Sequence, residues 1–172
     1  MAPIITEYPH FFTATNLDWK RLLEPDKYKD IIVNSLRFLS LRRRVLVHAF
    51  VIMSNHFHLI WQMNAGLQPE EVQRDFLKYT AQKIKLDLKV KHPAVLEHFR
   101  VGAIDREYQF WQRKSLSIEL RTHKVYLQKL DYIHDNPVKA GLCRLPEQYK
   151  YSSAQFYHTG NDNWGFLSHY CG

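Results

Sequence analysis

Residues 45–63 read VLVHAFVIMSNHFHLIWQM, two apolar runs, Val45–Ile52 and His56–Met63, separated by Met53-Ser54-Asn55. β-Branched and aromatic residues dominate both runs, and the break between them is short. The stretch therefore predicts a β-hairpin with a tight loop. Side chains two apart leave one face of a strand, so His56 and His58 point the same way and Phe57 and Leu59 the other.

Upstream of the hairpin, residues 10–17 (HFFTATNL) predict a first strand, rich in aromatic and Thr residues. Pro25 and Asp26 then open a helix whose Tyr28, Ile31, Ile32, Ser35, Leu36 and Leu39 recur at helical spacing. Arg42-Arg43-Arg44 ends it, and cations suit a helix C-terminus. Downstream, a second helix is expected from about Pro69 to Leu88, with Val72, Phe76, Thr80 and Ile84 on one face and lysines on the other. Residues 92–115 are less periodic and predict a strand and loops. A third helix is expected from about Ser117 to Asn136, with Pro137 stopping it. Strand, helix, hairpin, helix, strand, helix describes an α+β sandwich, helices on an antiparallel sheet, with a ferredoxin-like arrangement as first choice.

The length, 172 residues, suits one domain, with a tail from about residue 154 that has no assignable pattern. Hydrophobic residues at 45% and charged residues at 24% exclude a disordered chain. The net charge of +7 favours an acidic partner, nucleic acid being the commonest. Two cysteines, Cys143 and Cys171, are too few for a disulfide framework and read as free thiols of a reducing cytoplasm. The first residues do not read as a signal peptide. No apolar run approaches the roughly 20 residues of a membrane helix. A soluble protein without a membrane partner is expected.

Two imidazoles on one strand face suit a divalent metal. A bare His-x-His nevertheless more often marks ordinary strand residues, and a third ligand must come from elsewhere. The helix ending at Pro137 offers one. Leu120, Tyr126, Leu127, Leu130 and Ile133 form its apolar stripe at about 100° per residue. Tyr132 and Asn136, four apart, fall roughly opposite the stripe centre and are surface neighbours. A phenol oxygen can attack phosphorus to give a phosphotyrosine, and an amide oxygen is a hard ligand for Mg²⁺ or Mn²⁺. His134 projects toward the stripe and is not assigned a role.

The run Val51 to Ile60, around Asn55-His56-Phe57-His58, resembles the HUH motif of the single-tyrosine transposases. The run Tyr132-Ile133-His134-Asp135-Asn136-Pro137-Val138-Lys139-Ala140-Gly141-Leu142 resembles the tyrosine motif of one branch, the REP-associated tyrosine transposases of bacteria, relatives of the small insertion-sequence transposases. Phe110-Trp111-Gln112-Arg113 and Tyr151-Ser152-Ser153 are also similar to family segments, so the resemblance runs from about Phe11 to Ser153. It implies a ferredoxin-like fold and Mg²⁺- or Mn²⁺-dependent cleavage of single-stranded DNA near hairpins. It implies metal ligation by His56, His58 and Asn136, with Tyr132 as the nucleophile that becomes joined to the 5′ end. A DNA hydroxyl would then rejoin the strands. The family usually has proline where this chain has Ser54, a change confined to the hairpin loop. The insertion-sequence relatives carry Gln in place of Asn136. They are also homodimers sharing active sites, an assembly the REP-associated branch does not require.

Basic side chains and aromatic rings would hold the strand. Arg42, Arg43, Arg44, Lys78, Lys83, Arg113 and Trp111 are the candidates, each also readable as a solvated charge or, for Trp111, as core. Three functions share these residues: the transposase-type nuclease, a non-catalytic hairpin-binding protein, and a metal phosphoesterase that uses water.

Overall fold

The computed structural model describes residues 8–171. Strand β1 is His10–Thr15, helix α1 Asp26–Leu41, β2 Val45–Ile52 and β3 His56–Met63. Helix α2 is Pro69–Lys91 and α3 Pro93–Glu97. A small hairpin follows, β4 (Arg100–Ala103) and β5 (Arg106–Tyr108). Strand β6 is Leu116–Glu119, α4 His123–Lys139 and α5 Ala154–Thr159. The main sheet has the order β2-β3-β1-β6, every neighbouring pair antiparallel. With α1 after β1 and α2 after β3, this is the ferredoxin-like topology.

The sheet is covered on both faces. Phe12, Phe57, Leu59, Trp61 and Met63 pack against Ile32 and Leu36 of α1 and Phe76, Ile84 and Leu88 of α2. Phe11, Ala49, Val51 and Ile60 face the other way, against Tyr126, Leu130 and Ile133 of α4. A bulge between Val47 and Ala49 makes β2 fit both layers. Before it Val45 and Val47 face α1 and α2; after it Phe50 and Ile52 do. One extra residue thus restores the alternation that the sequence breaks.

Two expectations need correcting. Residues 116–119 are not the start of a helix but the fourth strand, paired with β1 through Phe11–Ile118 and Phe12–Ser117. Helix α4 starts six residues later than expected, at His123, where the Thr122 hydroxyl accepts from the Val125 amide as an N-cap. Nor does Pro137 stop α4. The helix continues to Lys139 and ends at Gly141, whose φ of +76° suits a left-handed stop. Proline removes one helical hydrogen bond near the end, and its ring is buried.

The free edge of β2 is covered by the tail. The Ile52 amide donates to the Tyr151 carbonyl (2.9 Å) and the Ser153 amide to the Phe50 carbonyl (3.0 Å). The Ser153 hydroxyl accepts from the Phe50 amide, and the Ser168 amide donates to Val47 (2.9 Å). Tyr151-Ser152-Ser153 is therefore an edge clasp. At the opposite end of β2, Arg42-Arg43-Arg44 forms the stop of α1. Arg43 is left-handed (φ +54°), its amide donates to Ser40 and that of Arg44 to Leu39. That is the two-bond pattern of a Schellman motif.

Candidate metal and tyrosine site

His56 and His58 leave β3 on the α4 face, their ring centroids 4.8 Å apart. Each ring is fixed through Nδ1. The His56 Nδ1–H donates to the Asn55 amide oxygen at 2.7 Å, and His58 Nδ1 lies 2.6 Å from the Thr13 hydroxyl. Thr13 is the residue opposite His58 across the β1–β3 ladder. Holding Nδ1 leaves Nε2 as the lone-pair nitrogen of each ring, the arrangement that orients histidine toward a metal. Burial lowers both pKa values. His58 falls to about 3, through burial first and then the neighbouring His56 and Lys129. Burial also lowers His56, partly opposed by its hydrogen bond with Asn136. Both imidazoles are neutral at pH 7, which is the ligating form.

Helix α4 brings the second half of the site. Tyr126, Leu130, Ile133 and Pro137 are buried on its sheet-facing stripe. Lys129, Tyr132 and Asn136 line the flank of that stripe at spacings of three and four. This corrects the placement of Asn136 opposite the stripe, while Tyr132 stays farther round, roughly 130° from its centre. The expected stripe included Leu120, which precedes the helix, and Leu127, which is 43% exposed. Removing both turns the stripe toward Asn136, now roughly 90° from its centre at about 100° per residue. Asn136 Nδ2 lies 3.5 Å from His58 Nε2, and the Tyr132 ring centroid is 5.1 Å from that of His58. Tyr132 is 44% exposed, so the residue is open to a large substrate. His134 lies apart from this set: its Nε2 is 2.8 Å from the Ser153 hydroxyl and its ring packs on Tyr157.

The donors fit a divalent cation. Two neutral imidazoles converge with a side-chain amide, and turning that amide over exchanges its nitrogen for its oxygen at the same point. Among the described residues no group of three His, Cys, Asp or Glu side chains could hold a metal. The third donor here is the Asn136 amide, outside those types. The three donors and Tyr132 come from one chain.

Four neighbours escaped the sequence reading. Thr13 and Asn55 fix the histidines. Phe11 stacks on His58 at 5.4 Å, and the Lys129 ammonium sits 4.8 Å from the Phe11 ring and 5.5 Å from the Tyr132 ring. Lys129, three residues before Tyr132, was within reach of helical spacing. Thr13 needed the strand register.

The expected DNA contacts are scattered. Trp111 is not a surface ring: it is 6% exposed and packs edge-on against Phe57, 5.3 Å between centroids. The β1–β3 core claims it because residues 110–112 bond back to the end of β1. Arg42, Arg43 and Arg44 are exposed beside Val45, which pairs with Met63, whereas His56 begins β3 at the other end. At about 3.3 Å per residue, those ends lie more than 20 Å apart. Lys78 and Lys83 are exposed on α2, which packs on the sheet face away from the histidines. Arg113 is better situated. The Gln112 amide donates to Thr15, which pairs with His56, so the exposed Arg113 follows the same rung.

No protein-family model matches the chain, and no curated protein matches it. The similar solved structures include two transposases. A putative transposase from Deinococcus radiodurans R1 has a TM-score of 0.47 at 11% identity, over 76% of this chain and 92% of that one, too low to enter the argument. A REP-associated tyrosine transposase bound to a REP hairpin has a TM-score of 0.65 at 18% identity, over 98% of this chain and 89% of that one. At that identity the likeness is one of architecture: this chain has the fold of the REP-associated tyrosine transposase.

Proposed function

We propose that the protein cleaves and rejoins single-stranded DNA beside hairpins, using Tyr132 as nucleophile and a divalent cation at His56, His58 and Asn136. The observation that carries this reading is the convergence of Tyr132 and Asn136 from α4 on the His56–His58 pair of β3. The hairpin bound to the structurally similar transposase supports the substrate class.

His56 and His58 offer Nε2, and Asn136 offers its amide oxygen. A cation bound there supplies Lewis acidity to the scissile phosphate. Imidazole donors suit Mn²⁺ better than Mg²⁺, so Mn²⁺ is the expected better activator. Lys129, beside the Tyr132 ring, adds a positive charge for the phosphate oxygens. Tyr132 Oη attacks phosphorus, a tyrosyl–phosphate bond forms and the bond to the 3′ oxygen breaks. The phenol loses one proton and the departing 3′ oxygen gains one. The strand's 5′ phosphate stays on Tyr132, and attack by another 3′ hydroxyl reverses the sequence. One phosphodiester is exchanged for another, so no nucleotide triphosphate is needed.

The test is a hairpin oligonucleotide with single-stranded flanks, incubated with Mn²⁺ or Mg²⁺ and separated under denaturing conditions. A covalent protein–DNA band that Tyr132→Phe abolishes is expected. Cleavage without an adduct would instead indicate water as nucleophile, and binding without cleavage a non-catalytic hairpin-binding protein.

A further inference from the structure

Trp19 is the feature that neither the core nor the chemistry above accounts for. It is 65% exposed, whereas Trp61 and Trp111 are buried and Trp164 donates its indole N–H to the Ser152 carbonyl. Its backbone is left-handed (φ +59°), as is that of Asp18 before it (φ +53°). Residues with a Cβ avoid this region, and two in succession persist only where surrounding bonds enforce them. Those bonds are present. The Asn16 amide donates to Asn55, that of Leu17 to Phe110 and that of Trp19 to Asn16. The Asn55 side chain then joins Trp19 to the candidate site. Its Nδ2 donates to the Trp19 carbonyl at 3.2 Å while its Oδ1 accepts from His56 Nδ1 at 2.7 Å. One amide thus spans from a candidate metal ligand to the backbone of an exposed indole.

We propose that Trp19 is a stacking platform for an unpaired nucleobase of the DNA strand whose phosphate lies at His56, an inference that rests on the function proposed above. An exposed indole whose backbone is tied through Asn55 to a candidate phosphate-binding centre can offer a π-face to a base flanking the scissile link, and such stacking tolerates any sequence. Asn55 makes the spacing between base and phosphate a fixed property of the fold. The strained loop is then a positioning device, because relaxing the backbone would let the indole move off that register.

The probe is a mixed-sequence single-stranded DNA 12-mer, compared with an abasic 12-mer of equal charge, both in EDTA so that neither metal nor cleavage enters. Wild type is expected to prefer the base-containing strand by roughly tenfold, with quenching of tryptophan fluorescence. Trp19→Ala should lose that preference and Trp19→Phe keep most of it. Trp19→Gly should match or exceed the wild-type Tm, since glycine accepts the left-handed backbone, while still losing the preference. A Trp19→Ala protein that retains the wild-type preference, or a wild type with none, overturns the proposal. Absence of a Tyr132 adduct from wild type is a separate result, and overturns the cleavage reading.

Discussion

The two faces of the sheet are built from the same strands but differ in kind. On the α1–α2 face, β3 contributes Phe57, Leu59, Trp61 and Met63, all fully buried among apolar side chains. On the α4 face the same strand contributes His56, His58, Ile60 and Gln62. There the smaller apolar cluster is interrupted by hydrogen-bonded polar groups such as the His48–Gln62 pair at 2.7 Å. One face stabilises the fold and the other holds titratable groups at fixed positions. The period-two geometry of a strand lets both be specified by adjacent residues without compromise.

The largest expected effect lies on the α4 face. Tyr132→Phe should remove the covalent adduct completely, while DNA affinity and Tm stay near wild type, since the Tyr132 side chain is half exposed. Denaturing electrophoresis beside thermal melting checks both halves. A fall of several degrees in Tm would show that the tyrosine is structural and dissolve the contrast. Phe57→Ala tests the other face. Removing a fully buried ring should cost about 3–5 kcal/mol, read by urea unfolding, whereas His56→Ala, one residue away but partly exposed, should cost far less and abolish metal-dependent cleavage.

Acid should act on the α4 side. Burial lowers His134 to about 4 and also lowers His48, the latter despite hydrogen bonds to Ser168 and Gln62 that raise it. The unfolded chain takes up a proton near the ordinary value of about 6.5 that the folded chain refuses. Stability is therefore full above pH 6.5 and falls as pH drops toward 4, by roughly 2–3 kcal/mol from His134 alone. Unfolding midpoints across that window check it, and His134→Gln should flatten the slope. The smallest effect lies away from both faces. Arg43→Gly should stabilise by about 1 kcal/mol by relieving the left-handed backbone, leaving DNA cleavage unchanged. A drop in cleavage would return the arginine cluster to the DNA-binding surface.

The hairpin was readable to its end residues because two dense apolar runs flanked a polar break. The pairing of His56 with His58 and of Tyr132 with Asn136 was readable because strand and helix periods each put their residues on one side, whereas the meeting of the two pairs was implied by the family resemblance. Strand β6 was not. Leu116, Ser117 and Glu119 are exposed on a sheet edge, so no alternation marks them. Reading those residues as helix then drew Leu120 into the α4 stripe, and Leu127, apolar yet exposed, displaced its centre further. Trp111 misled for a different reason: basic and aromatic neighbours in sequence suggest a strand-binding surface, but long-range bonds to β1 decide which ring is buried. Arg43 lacked the glycine that ordinarily marks a left-handed helix stop. The β2 bulge left no trace beyond His48 standing in an apolar run.

The edge clasp has a bearing on how the chain is made. Phe50 and its partner Ser153 are 103 residues apart. At ribosomal speeds of about 5–20 residues per second, β2 waits roughly 5–20 s for the segment that closes its edge. Through that interval the nascent protein presents the unpaired outer edge of a valine-rich strand. The segment around Ser153 can thus seal that edge only after the roughly hundred intervening residues have been made.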